Sequence, residues 1–224
     1  METALHRQLK ELYAGDACQR EVWVDGYRID ACVGDELVEI QQASLGALRR
    51  KVQTLLKKHR VTVVKPLVAR KRLVWYARRN GPEVSRRWSP THHSLLQIFQ
   101  DLVHFVPVFP HPRLTLELVL TEQEEHRVRR RQRRGPGFTV FSRTLIEVVD
   151  RLQLRTHADF RALLPSSLEY PCTTAEIAAA ASIPRWLAQK MAYCLRHAGI
   201  LEQQGKRGNS WLYALSETTE NKAA

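Results

Sequence analysis

Val24-Asp25-Gly26-Tyr27-Arg28-Ile29-Asp30, followed past Gly34-Asp35 by Leu37-Val38-Glu39-Ile40-Gln41, is the stretch whose reading decides the fold. Asp25-Gly26 is a tight-turn signal, because both residue types tolerate the positive φ that a two-residue hairpin demands. Glu21 to Ala31 therefore reads as strand, turn, strand, and Leu37 to Gln41 as the next strand after a second turn at Gly34-Asp35. Asp30 ends one strand and Glu39 sits in the next. A period of two puts Glu39 and Gln41 on one face and Ile40 on the other, so two carboxylates and an amide are expected to converge. A buried carboxylate pair is costly unless a cation or a proton compensates it. A hard divalent ion is the natural compensation, since magnesium is held by one or two carboxylates and water.

Outward from this hairpin the pattern alternates. Leu5, Leu9 and Leu12 suit a short amphipathic helix before it. After it, Ser44 is an N-cap for a helix carrying Leu45, Leu48, Val52, Leu55 and Leu56 on one face. Arg60 to Leu67 (RVTVVKPL) is a β-branched run and reads as a buried strand, and Lys71 to Ala77 as one more. Helix, hairpin strands, helix and strand make an α/β core over 1–76.

This arrangement resembles the PD-(D/E)XK nuclease superfamily, whose pattern is helix, strand ending in Asp, strand carrying Glu-x-Lys, helix, strand. The resemblance implies a restriction-endonuclease-like domain with a mixed central sheet. Asp30 matches the Asp and Glu39-Ile40-Gln41 the second motif, with Gln41 where Lys is usual. By the same resemblance Asp30 and Glu39 would hold Mg2+ or Mn2+, Glu11 on the first helix (or Glu21 as second choice) would complete the shell, and Gln41 would orient the attacking water. Gln carries no positive charge to stabilise the developing anion. Lys51, on the helix after the motif, is the nearest lysine that could supply it. Related junction resolvases act as dimers, which extends here to an expected homodimer.

The rest of the chain supplies charge. Of 224 residues, 44% are hydrophobic and 26% charged, enough for a packed core and against a wholly disordered chain. The net charge of +12 favours polyanionic partners, nucleic acid first. Four cysteines, none at metal-binding spacing, read as small core residues of a reducing compartment. No apolar run approaches the roughly 18 residues of a membrane span, so a cytoplasmic location without a membrane partner is expected.

The middle stretch, 77–165, is expected to extend the core and carry a basic linker. Thr91 to Val103 and Phe138 to Leu152 read as helices and Leu114 to Leu120 as a strand. Between them, Arg127, Arg129, Arg130, Arg131, Arg133 and Arg134 crowd together before Gly135-Pro136-Gly137. Guanidinium groups pair well with phosphate oxygens, which makes the run a candidate phosphate-contacting arm; a solvated linker or the polar face of a helix or hairpin is the plainer reading. Trp75, Tyr76 and Trp88 lie among Arg78, Arg79, Arg86 and Arg87. Such a mixture either stacks on unpaired bases or consists of core aromatics beside solvated arginines.

The stretch 166–215 has the clearest local signals. Thr173-Thr174-Ala175-Glu176 is a capping box that opens a short Ala-rich helix. Ser182-Ile183-Pro184 is a turn, and a longer helix runs to Ala198, with Leu187, Met191, Cys194 and Leu195 on its apolar side. Two strands then flank Gly205-Lys206-Arg207-Gly208-Asn209. Helix, turn, helix and basic hairpin resemble a winged helix-turn-helix domain. That resemblance implies that Arg185, Gln189, Lys190, Tyr193 and Arg196 face DNA while Lys206 and Arg207 meet phosphate. Residues 216–224 read as a disordered tail. The joined EIQ-bearing domain and the Arg185–Gly199 helix segment also resemble a group of uncharacterised bacterial proteins. The expected function is a metal-dependent nuclease recruited to DNA by the winged helix. The alternative is a non-catalytic DNA-binding regulator on a degenerate nuclease fold. RNA processing carries the same charge signature.

Overall fold

The structure is a computed structural model. It describes residues 3–13, 18–130 and 137–216, with backbone only at 18–20. The protein is mixed α/β around one large sheet. The elements run α1 (Ala4–Tyr13), β1 (Cys18–Val24), β2 (Tyr27–Val33), β3 (Glu36–Ile40), α2 (Arg49–Leu55), β4 (Arg60–Tyr76), β5 (Glu83–His92), α3 (Phe99–Leu102), β6 (Leu114–Arg129) and β7 (Phe138–Leu154). Then come α4 (His157–Arg161), α5 (Thr174–Ala180), α6 (Arg185–His197), β8 (Leu201–Arg207) and β9 (Ser210–Leu215). The strand order in the large sheet is β1-β2-β3-β4-β6-β7, with β5 also paired to β4.

The chain divides into two compact units, one of 1–42, 62–95 and 117–152, the other of 43–61, 96–116 and 153–224. The stretch 77–165 therefore supplies strands to the first unit and helices to the second.

In the first unit, the Asp25-Gly26 turn is present, with φ of 48° and 81°, and it sets the β1–β2 register at Val24↔Tyr27. Leu5 and Leu9 pack from α1 onto Ala31, Val38, Ile40, Val64 and Val119, one residue or more from each of the four strands β2, β3, β4 and β6. Burying side chains of this size stabilises by about 1.5–3 kcal/mol each, which pins α1 over the two motif strands. Leu12 lies outside this seam and is exposed.

Two expected helices are not formed as read. Phe138–Leu152 is part of the strand β7. Leu145, Val148, Val149 and Leu152 have helical spacing, but the segment is rich in β-branched residues (Thr139, Val140, Thr144, Ile146) and its backbone pairs with β6. The pairing decides between two periods that the side chains allow. Thr91–Val103 begins as the end of β5 and turns helical only at Leu95, as a 3-10 turn followed by α3. The two expected strands at 60–67 and 71–77 are one long strand, β4.

In the second unit, Phe160 stacks on Phe99 at 5.6 Å and meets Phe109 edge-on at 5.4 Å. Thr156 and Thr173 each head a helix with a complete capping box. α5 and α6 are consecutive helices separated by a short turn at 181–184. α6 buries Leu187, Met191, Cys194 and Leu195 as expected. The β8–β9 hairpin follows, and a bridge between Cys172 and Tyr213 ties it to the segment before α5. The hairpin turn is tighter than the sequence suggests. Gly205, Lys206 and Arg207 belong to β8, and Gly208-Asn209 alone makes the reversal.

Candidate functional site

The β2–β3 ladder is registered at Cys32↔Leu37 and Ala31↔Val38. Just beyond this ladder the Asp30 carboxylate takes a backbone donor: Ile40 N–H donates to Oδ2 at 2.9 Å. The other oxygen, Oδ1, accepts from His6 Nε2 at 3.2 Å and Lys10 Nζ at 3.2 Å. His6 and Lys10 are four residues apart on α1, so they form a stripe beside the buried Leu5–Leu9 seam. The packing of that seam delivers both side chains to Asp30. Burial acts to raise the Asp30 pKa, but the hydrogen bonds from His6, Ile40 and Lys10 outweigh it and hold the group at about 2. Lys10 also bonds Glu21 Oε1 at 3.1 Å, and Glu21 in turn pairs with Arg28.

Of the predicted site residues, Asp30 and Glu39 lie on paired strands as expected. Glu39 is 4% exposed, and strand alternation directs it away from Val38 and Ile40. Gln41 donates its backbone N–H to Val64 O at 2.9 Å, which ties β3 to β4. Glu11 is exposed on α1 and is not a partner of Asp30. Lys51 lies on α2, in the second unit. The residues that do reach Asp30, His6 and Lys10, were missed by reading motifs alone; their i, i+4 spacing beside Leu5 and Leu9 was the available signal. Lys65 was also missed. It is only 3% exposed within VTVVKPL and donates to Gln42 O at 3.3 Å.

These residues do not fit a magnesium ion as they stand. Among the described residues no three His, Cys, Asp or Glu side chains group closely enough to hold a metal. Both oxygens of Asp30 are engaged, one of them by the Lys10 ammonium, which supplies the compensating charge that a metal would bring.

The arginine run divides in three. Arg127 is bonded to Glu125 Oε1 at 2.5 and 2.8 Å and lies 3.9 Å from the Phe138 ring centre. Glu125 also accepts from Lys71 and Arg143. Burial raises its pKa, but Arg127, Arg143 and Lys71 together hold it below the usual carboxylate range. Arg129, at the end of β6, and Arg130 are exposed. Arg131, Arg133 and Arg134 lie outside the described residues, as does the expected tail beyond Ser216.

On α6, Arg185, Gln189, Tyr193 and Arg196 are exposed, and Lys190 is half-buried with its ammonium 5.6 Å from the Trp186 ring. The helix contains no acidic residue. In the hairpin, Lys206 lies over Trp211 at 4.5 Å. Arg207 is not a free wing-tip cation, because its guanidinium donates to Glu176 Oε1 at 2.7 Å, the carboxylate of the α5 capping box. Among the described residues no helix is long and apolar enough to cross a membrane.

No solved structure matches the chain at a significant level. An uncharacterised protein of Treponema pallidum (strain Nichols) is 28% identical over 226 aligned positions, which cover 99% of this chain and 88% of that protein. Residues 3–155 match a family described as Domain of unknown function (DUF8091). That match takes in α1, the Asp30–Glu39 strands and all of the large sheet, so the chain belongs to this family.

Proposed function

We propose that this protein is a non-catalytic DNA-binding protein that keeps a nuclease-like α/β core as a scaffold. The observation that carries the reading is α6. It is a 13-residue helix, second in a capped helix-turn-helix, free of acidic residues, and exposes Arg185, Gln189 and Arg196 together. Arginine reads guanine and phosphate in a fork geometry and glutamine reads adenine, and a following basic hairpin suits the phosphate backbone. This supports a winged-helix mode in which α6 enters the major groove. The internal neutralisation of Asp30 by Lys10, with His6 on the same oxygen, supports the non-catalytic half of the proposal.

One observation favours a second reading, a magnesium-dependent nuclease. The order α1, β2 with Asp30, β3 with Glu39, α2, β4 is the order that the nuclease resemblance implies. Catalysis on this reading requires Lys10 and His6 to leave the Asp30 carboxylate.

The test is binding and cleavage of duplex DNA in calcium, magnesium or manganese. Arg185→Glu and Arg196→Glu are expected to weaken duplex binding and to lower the salt slope by about 1 for each phosphate left without its arginine. Asp30→Ala and Glu39→Ala are expected to bind as the wild type does, with no cutting by any form. Metal-dependent cutting abolished by both carboxylate substitutions establishes the nuclease instead. Duplex binding indifferent to the α6 substitutions refutes the groove-reading helix.

A further inference from the structure

In the first unit, the ends of β4, β5 and β6 enclose a cleft of about 480 Å³, lined by Trp75, Tyr76, Val84, Ser85, Arg87 and Arg129. That volume falls within the roughly 300–1,000 Å³ of pockets that hold drug-sized ligands, so a base with its sugar and phosphate fits. The two aromatic rings are held from behind. Trp75 has Phe138 edge-on at 5.6 Å and the Arg127 guanidinium 5.8 Å from its ring. Tyr76 stacks on His126 at 5.5 Å and meets Phe141 edge-on at 5.4 Å. Rings fixed in this way present a π surface at little entropic cost.

The arginines divide according to their partners. Glu124 serves Arg72 and Arg86, Glu83 also serves Arg86, and Glu125 serves Lys71, Arg127 and Arg143. Arg87 and Arg129 are exposed at the cleft, and among the described residues neither has a carboxylate partner. Arg78 and Arg79, directly after the cleft residue Ala77, are likewise exposed and without one. Glu83, Glu124 and Glu125 are thus taken up by other cations, and among the described residues the arginines at and just beyond the two aromatic rings have no carboxylate partner. Several arginines suit several phosphates better than one, and only an unpaired strand offers its base faces to an aromatic ring.

We infer that this cleft binds a single-stranded stretch of nucleic acid, with one base stacked at Trp75 and the flanking phosphates on Arg87 and Arg129. The inference rests on the reading of the protein as nucleic-acid-binding, but on residues other than those of α6.

The experiment uses the full-length protein with a short single-stranded DNA carrying 2-aminopurine, the matching duplex, and free AMP. Stacking at the cleft quenches the 2-aminopurine. Arg87→Glu combined with Arg129→Glu is expected to weaken single-strand binding at least about tenfold at low salt, and to lower the salt slope by about 0.7 for each phosphate no longer neutralised. Trp75→Leu is expected to weaken it by about 5- to 150-fold, the worth of one base–aromatic stack, and to remove the quenching, while Trp75→Phe keeps part of both. The arginine reversals are at exposed positions, so they keep the test valid if Trp75→Leu fails to fold. Duplex binding is expected to be untouched by these substitutions and abolished by Arg185→Glu with Arg196→Glu, so failure of one site is separable from failure of the other. The inference is overturned by single-strand binding without quenching, by unchanged affinity in the arginine double variant, or by AMP binding as tightly as the strand.

Discussion

Asp30→Asn tests whether the Asp30 carboxylate is a structural anchor. In the folded protein the group titrates at about 2, against an ordinary value of 3.8. The side chain is 17% exposed, so solvent screens its partners only partly. At 1.36 kcal/mol per pH unit the difference corresponds to about 2 kcal/mol of stability from the ionised group at neutral pH. A folded pKa below the unfolded one means that the contribution is complete above pH 3.8 and is lost as pH falls through 3.8 towards 2. By the same linkage about 1 kcal/mol of it has gone at pH 3. The assay is urea unfolding of the wild type and Asp30→Asn, followed by far-ultraviolet circular dichroism from pH 7 to pH 3. The wild type is expected to be more stable by about 2 kcal/mol at pH 7, with the gap narrowing by about 1 kcal/mol at pH 3. Comparing the two proteins at each pH cancels the titration of every other carboxylate. A gap under about 0.5 kcal/mol at pH 7, or one that does not narrow on acidification, would refute the assignment of His6, Lys10 and the Ile40 amide as the partners of an ionised Asp30.

Three further outcomes follow from other parts of the molecule. Thr173→Ala removes the hydroxyl that accepts from Glu176 N at the head of α5; it is expected to cost about 1 kcal/mol, read from the thermal midpoint, with Thr173→Ser recovering most of it. Glu125→Gln leaves Lys71, Arg127 and Arg143 without their shared anion; a fully buried pair broken in this way costs about 3–5 kcal/mol, and the partial exposure of Lys71 and Arg143 reduces the expected loss to about 2 kcal/mol in chemical denaturation. Burial pushes the Cys172 thiol up to about 11 and the Cys194 thiol up to about 12, so both are expected to resist alkylation at pH 8 in the native protein and to react once it is unfolded, while half-buried Cys32 reacts before either of them, as peptide mass mapping would show.

Local signals in the sequence were sound where one residue type or one spacing leaves a single physical solution. Asp25-Gly26 made a hairpin, Thr173 to Glu176 a capping box, and Leu187, Met191, Cys194 and Leu195 the buried side of α6. Where two periods fit the same side chains, local reading failed. Leu145, Val148, Val149 and Leu152 suit a helix as well as a half-buried strand, and the free backbone of β6 chose the strand. The candidate site divides in the same way. Asp30 and Glu39 were legible because a hairpin with a known turn has a known register. His6 and Lys10 were not, because their meeting with Asp30 depends on how α1 lies across the sheet, which Leu5 and Leu9 settle by packing against strands far along the chain.

By itself, then, the sequence determined the α/β character, the order of elements around Asp30 and Glu39, the capped helix pair before the basic hairpin, and an excess of positive charge. These follow from turn chemistry, periodicity and composition, which act over a few residues. Only the tertiary structure decided which charges remain available. It joined Lys10 to Asp30, Arg207 to Glu176 and Arg127 to Glu125, and among the described residues left Arg87 and Arg129, which line the cleft with Trp75, without an acid. Whether an ionic side chain keeps its charge for a ligand depends on which opposite charge the fold brings within about 4 Å, and for most of these groups that neighbour lies far away in the chain.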